Sequence, residues 1–372
     1  MYYACLYIFL IYACLLIMFI GKIDKKGNTL LYIIFLCTLS VLFAFRPEKV
    51  PDFKSYKWIF SIIDITKKYC PNLLKREPTT DTEYGFVGLI FWFKFLLGNY
   101  YRLFLFFIAI LSLHFSVVYI KKIVLLINPE NEVECITILC LLFPYYGMYY
   151  QGIAIRGGIA MSFIIATLYY YMQKKYICSI ITILLGFAIQ RMTVLAVLVC
   201  LTYSFFPILK KRIYYLISAL LLICAIICNL TRGKILIPVY NFIEWIFSKI
   251  FIVVDYSGYL SRADVGRTFD KKRLFILILF LGLIYFVKES EINIKRLLNI
   301  VLCSVLLIFA TLSIVGSERI YDLFSCFSVA ILGIKLHQQT KKNLKLSIQG
   351  FSLFYIICNF VISVRIWMFP HL

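Results

Sequence analysis

Residues 101–120 read YRLFLFFIAILSLHFSVVYI, twenty positions whose one charge, Arg102, sits at the leading end, with Lys121 and Lys122 just past the trailing end. A helix of that length is about 30 Å long, which is the thickness of bilayer hydrocarbon. The run is continuous rather than alternating, so it reads as a membrane helix and not as a strand of a barrel. The same pattern recurs along the chain. Apolar runs bounded by charge predict further spans near 2–20, 29–45, 135–151, 157–173, 177–190, 192–207, 213–230, 273–288, 296–315, 320–335 and 346–367. Of 372 residues, 63% are hydrophobic and 15% charged, too little polar surface for a soluble protein of this size. The expected class is all-α: one polytopic integral membrane domain over 1–372 with about 12 transmembrane helices.

Charge orients the spans. The net charge of +21 comes mainly from short basic loops, among them Lys22/Lys25/Lys26, Lys174/Lys175, Lys210/Lys211/Arg212, Lys288/Lys295/Arg296 and Lys335/Lys341/Lys342/Lys345. That distribution marks the cytoplasmic side and argues against nucleic acid as a partner; the bilayer is the partner it implies. The opposite turns carry single arginines, Arg102, Arg156, Arg191 and Arg319, and Arg46 opens a first long outer loop over 46–100. Within that loop Tyr84 to Leu97, fourteen residues with Lys94 inside, is short for a crossing and is expected to be an interfacial or re-entrant helix. A second long outer loop covers 231–272, with an amphipathic surface helix over 238–254 and a flexible polar stretch over 256–270. The first run, Tyr2 to Ile20, lacks a basic leader and a small-residue cleavage site and reads as a retained span. Most of the thirteen cysteines fall inside spans, where cysteine behaves as a small hydrophobe.

The outer arginines are the candidates for chemistry. A charge at the centre of a membrane helix costs roughly 2.5–3.5 kcal/mol, so such residues are usually kept for a task. In Arg46-Pro-Glu-Lys-Val-Pro-Asp52-Phe-Lys-Ser-Tyr56, two prolines stop the helix and stiffen the exit from the membrane. In Arg156-Gly157-Gly158, the glycines permit close approach by a neighbouring helix or a ligand. Arg191 lies in a tight turn between two apolar runs, and Glu318-Arg319-Ile-Tyr321-Asp322 opens the eleventh span. Arginine donates two parallel hydrogen bonds to phosphate oxygens and stays charged at physiological pH. A cluster of them suits a lipid-linked phosphate or diphosphate. Asp52 is the best-placed general base and Glu83 the reserve. No compact carboxylate pair stands in either outer loop, so no metal or other cofactor is expected, although Asp81, Glu83, Asp255 and Asp264 leave a metal open. His114 reads as a satisfied helix residue.

With these residues the chain resembles the EpsG-like branch of the Wzy-type polysaccharide polymerases. The resemblance is carried by Arg46, Asp52 and Tyr56 after the second span, by Arg156, Gly157 and Gly158 at a helix start, and loosely by Glu318, Arg319 and Tyr321. Where relatives often place histidine before a small hydroxyl residue, this chain has Arg191 before Thr193, which leaves the role of Arg191 open because arginine is no proton shuttle. The resemblance implies a GT-C-like glycosyltransferase of the bacterial inner membrane. Its donor and acceptor would be undecaprenyl-diphosphate-linked glycans, joined at the outer face. Arg156, Gly157, Arg191 and Arg319 would grip the donor diphosphate with help from Arg46. Asp52 would activate the acceptor, and Tyr56 and Tyr321 would orient sugar or phosphate. A chain-length regulator is a further partner whose association the sequence leaves open. The alternatives are a lipid-linked glycan flippase and an O-antigen ligase, the latter disfavoured because the outer loops hold no histidine.

Overall fold

The computed structural model describes residues 24–50, 52–63, 83–130, 133–231, 271–310, 318–338 and 342–368, with residues 9, 12 and 13. The expected span at 2–20 and nearly all of the second outer loop, including 238–254, lie outside the described residues, apart from those isolated positions. Every regular element among the described residues is helical. In chain order these are α1 (Lys25–Ala44), α2 (Phe53–Ile62), α3 (Tyr84–Leu97), α4 (Tyr101–Ile127), α5 (Cys135–Leu142), a π-helix (Phe143–Gln151), α6 (Ile155–Met172), α7 (Tyr176–Ile189), a 3₁₀ turn (Arg191–Val194), α8 (Leu195–Phe205), α9 (Lys211–Leu230), α10 (Lys271–Phe286), α11 (Ile292–Ala310), α12 (Glu318–Ser325), α13 (Ser328–Gln338) and α14 (Lys342–Met368). Three stretches are long and apolar enough to cross a bilayer: Lys25–Ala44, Tyr101–Ile127 and Leu344–Ser363. Shorter apolar helices accompany them at Tyr84–Leu97, Tyr176–Ile189, Arg191–Phe205 and Arg273–Phe286.

The chain divides into two compact units, Met1–Cys200 with Leu336–Leu372, and Leu201–Lys335. In the first, α1 packs on α4 and α5, α4 on α6, α6 on α7, α3 on α7, and α14 on the π-helix. Asp24 caps α1 by accepting from the Gly27 N–H at 3.1 Å. The helix stops at Phe45, two residues before Pro47, which has no N–H to donate. Helix α2, within the expected first outer loop, went unforeseen. Its Phe53, Tyr56, Ile59, Phe60 and Ile63 recur at helical spacing and bury one stripe against Phe86, Ile90 and Phe93 of α3 and Phe104 of α4. Phe60 stands at the middle of this core, with ring centroids 5.3 Å from both Tyr101 and Phe104.

Helix α7 carries the membrane signature inside out. Its buried positions are Ser179 and Gly186, while Ile177, Ile180, Ile181, Leu184 and Leu185 are exposed. Small residues bring α7 close to α6. The Thr167 and Thr182 hydroxyls bond at 2.9 Å, and a Cβ at Gly186 would meet Phe163 Cβ at 2.8 Å. A soluble helix would bury the isoleucines; in lipid the small, polar face is the one that packs.

Two expected single helices are interrupted. The run 135–151 changes from α to π at Phe143, because Pro144 has no N–H for the α ladder. The run 320–335 breaks at Cys326–Phe327, where Ser325 Oγ donates to Asp322 O at 3.2 Å and Cys326 Sγ to Leu323 O at 3.2 Å, in competition with the backbone ladder. In the second unit, α11 packs on α10 and α12, and α9 on α10. Its basic rim is partly neutralised: Glu289 pairs with Lys295 and Glu291 with Lys335.

Candidate functional site

In the first unit four segments distant in sequence meet around Arg156. It follows the Ala154–Ile155 start of α6, and its guanidinium pairs with the Glu83 carboxylate, only 10% of whose side chain is exposed. Glu83 in turn precedes α3, and its other carboxylate oxygen accepts from the backbone N–H of Arg191 at 3.4 Å. Glu83 thereby ties the α6 start to the turn between α7 and α8. The Arg156 guanidinium also lies 5.9 Å from the Tyr56 ring and 6.0 Å from the Phe86 ring. Gly85 makes this approach possible. A Cβ there would fall 2.5 Å from the Ala188 carbonyl oxygen, so α3 could not lie against the end of α7 with any larger residue.

Arg46 forms the neighbouring half of the cluster. Its side chain is fully buried, its Nη1 donates to the Gln151 carbonyl at 3.1 Å, and its guanidinium lies 5.4 Å from the Phe53 ring centroid. Burial pushes this guanidinium down from its ordinary range, and Arg102 adds to that, while Tyr101, Tyr56 and Asp52 oppose it. Tyr56 and Asp52 thus stand in the field of Arg46, and Tyr56 links this half to Arg156. Asp52 adopts φ 62°, the left-handed region that Asp tolerates better than most residues but that still carries strain. It begins α2, and its carbonyl accepts from the Tyr56 N–H at 3.0 Å.

Some expected roles are redistributed. Gly157 and Gly158 face the π-helix: a Cβ at Gly157 would meet the Tyr150 ring at 2.8 Å, and one at Gly158 the Gln151 amide at 2.5 Å. Close approach here is made by the chain's own π-helix. Arg102, whose position in an outer turn was the only clue to it, donates through Nη1 to Ala44 O at 2.7 Å and Arg46 O at 2.9 Å, closing the end of α1. Lys94, the charge that made Tyr84–Leu97 look poor as a span, donates to Ile63 O at 2.7 Å and closes the end of α2. His114 Nδ1 is hydrogen-bonded to the Tyr32 hydroxyl at 2.8 Å.

Arg319 lies in the second unit, where Glu318 and Arg319 open α12 as the sequence indicates; its side chain is outside the described residues. Tyr321 and Asp322 are wholly buried within that unit. Among the described residues no group of three His, Cys, Asp or Glu side chains could hold a metal ion. Asp81, Asp255 and Asp264 lie outside them.

Apolar-faced helices knit by small residues, with arginines at helix ends, are the features of a helical integral membrane protein. The EpsG family model matches residues 29–371, and the chain belongs to the EpsG family, membrane proteins of polysaccharide-polymerase type. No curated protein and no solved structure matches it.

Proposed function

We propose that the protein is a glycosyltransferase that polymerises undecaprenyl-diphosphate-linked oligosaccharide repeat units at the outer face of the bacterial inner membrane. The proposed architecture is GT-C-like, with about twelve spans and the basic loops on the cytoplasmic side. One observation carries the reading: Arg46, Tyr56, Glu83, Arg156 and the Arg191 turn converge from separate segments onto one place in the first unit.

The chemistry follows from those groups. An acceptor hydroxyl attacks the anomeric carbon of the donor sugar, the bond from that carbon to the diphosphate oxygen breaks, and polyprenyl diphosphate departs. Asp52 takes the hydroxyl proton. Arg156, with Arg191 and Arg46, stabilises the charge that grows on the leaving diphosphate. Glu83 holds Arg156 in place beforehand, so that little reorganisation is needed as the bond breaks. Tyr56, beside the Arg156 guanidinium, orients sugar or phosphate. No cofactor is required in this scheme, and a chain-length regulator would act as a separate partner.

Purified protein in proteoliposomes, given a lipid-linked repeat unit and no other protein, is expected to yield a ladder of longer glycans. Arg156→Ala is expected to abolish the ladder while the protein stays inserted. Movement of the substrate across the bilayer with no new glycosidic bond would replace this reading with that of a flippase. Full-length ladders from Arg156→Ala would remove Arg156 from the diphosphate grip.

A further inference from the structure

Arg46 and Gln151 are 0% and 1% exposed, yet both keep polar atoms without a hydrogen-bond partner among the described residues. For Arg46 these atoms are Nε and Nη2; for Gln151 they are both atoms of the side-chain amide. Buried polar groups are almost always satisfied, so four orphans on two adjoining residues call for an explanation.

The pattern of the orphans is specific. Nη1 of Arg46 is taken by the Gln151 carbonyl. What is left, Nε and Nη2, is the side-on edge of the guanidinium, a pair of parallel N–H groups that fits two oxygens of a phosphate. The Gln151 amide lies against Gly158, where a Cβ would come within 2.5 Å of Nε2, so the glycine leaves the space the amide occupies. Gln151 is also the last residue of the π-helix, a widened turn of the kind often found at functional sites. A second guanidinium stands close by, since Arg102 Nη1 donates to the Arg46 carbonyl at 2.9 Å.

We propose that the free edge of Arg46 and the Gln151 amide form a buried subsite for a glycosyl phosphate group. The edge takes phosphate oxygens, Gln151 Nε2 adds a third donor, and Gln151 Oε1 accepts from a hydroxyl of the adjoining sugar. The donor and acceptor count sets the ligand class. A fully ionised phosphate would satisfy the three nitrogen donors and leave Oε1 without a proton, whereas a hydroxyl of a sugar attached to the phosphate supplies one. The proposal rests on the reading of the chain as an enzyme of lipid-linked glycans, and it adds Gln151 as a residue that selects for the sugar next to the diphosphate.

The test is direct binding to the intact protein in nanodiscs with three probes: inorganic pyrophosphate, polyprenyl diphosphate without sugar, and glycosyl polyprenyl diphosphate. The sugar-bearing lipid is expected to bind tightest. Gln151→Ala should weaken both lipids and erase the preference for the sugar-bearing one. Arg46→Lys, which keeps the charge and removes the fork, should weaken both lipids by about tenfold or more, as loss of charge-assisted hydrogen bonds does. Gln151→Glu should exclude all three probes. Melting of each ligand-free variant reports whether it has folded; if Arg46→Lys has not, the two Gln151 variants decide. Sugar-bearing lipid bound equally well by wild type, Gln151→Ala and Gln151→Glu overturns the subsite. If Arg156→Ala still abolishes ladders in that case, the polymerase reading stands without it. A wild-type protein that binds none of the probes overturns both.

Discussion

Glu83 shows what folding does to a residue chosen for its chemistry. In the chain it is an acid near the membrane surface, a reserve general base. In the first unit its carboxylate is engaged by Arg156 and by the Arg191 N–H, a position suited to holding cations still. Asp52, at φ 62° and beside Arg46, is the carboxylate proposed as base. Glu83→Gln is expected to slow glycan extension about 10- to 100-fold by loosening Arg156, leaving the shape of the pH–rate profile unchanged. Disappearance of the acid limb in that variant would make Glu83 the base instead. Asp52→Asn is expected to cost about 10²–10⁴ in turnover with donor affinity nearly unchanged. Affinity lost in proportion to rate would turn Asp52 into a binding residue. The carboxylates were visible in the sequence; their division of labour depends on which arginine each one meets.

At the scale of elements, two helices that lead into the site are each closed by a cation from elsewhere in the chain. Lys94 of α3 closes α2, while Arg102 of α4 closes α1. The contact of α3 with α7 is controlled by one missing methyl group. Gly85→Ala would put Cβ 2.5 Å from a backbone oxygen that cannot move aside, whereas Gly88, one turn along, has nothing within 4 Å. The first change is expected to destabilise the protein by about 1–3 kcal/mol, as overpacking does, and to reduce activity with it. The second should leave melting temperature and activity near wild type. Equal melting temperatures for the two variants would show that α3 does not press on α7. Both glycines look alike in an apolar run, and only the neighbour across the gap distinguishes them.

For the molecule as a whole, the basic rim of the second unit gives a pH prediction. Hydrogen bonding to Lys295, followed by the Lys211 backbone N–H, holds the Glu289 carboxyl below the usual carboxylate range. A carboxyl whose pKa is depressed on folding contributes stability that is complete above its unfolded value of about 4.3 and is lost as pH falls through the lower folded value. Glu289→Gln should therefore melt below wild type at pH 7, with the difference closing under acid. A gap that stays constant from pH 7 to pH 3 would show that this pair does not link folding to pH.

The sequence alone determined where most of the helices lie, that the chain is a membrane protein, and which residues were candidates. Hydropathy and charge are properties of contiguous residues, so the run at 101–120 and its companions could be read without any partner, and α1, α6, α7, α8 and α9 begin and end within a few residues of the expected bounds, while α4 runs on to Ile127. Helix α2 left a weaker trace, a stripe of only five apolar positions inside a loop full of charge. The tertiary structure decided what each polar residue is for. Arg102 and Lys94 became helix closures, Glu83 became the partner of Arg156, and Gln151 became a buried amide beside Arg46. Each of these depends on a carbonyl, a carboxylate or a glycine that stands far away in the chain, and a hydrogen bond exists only once folding has brought its two ends together.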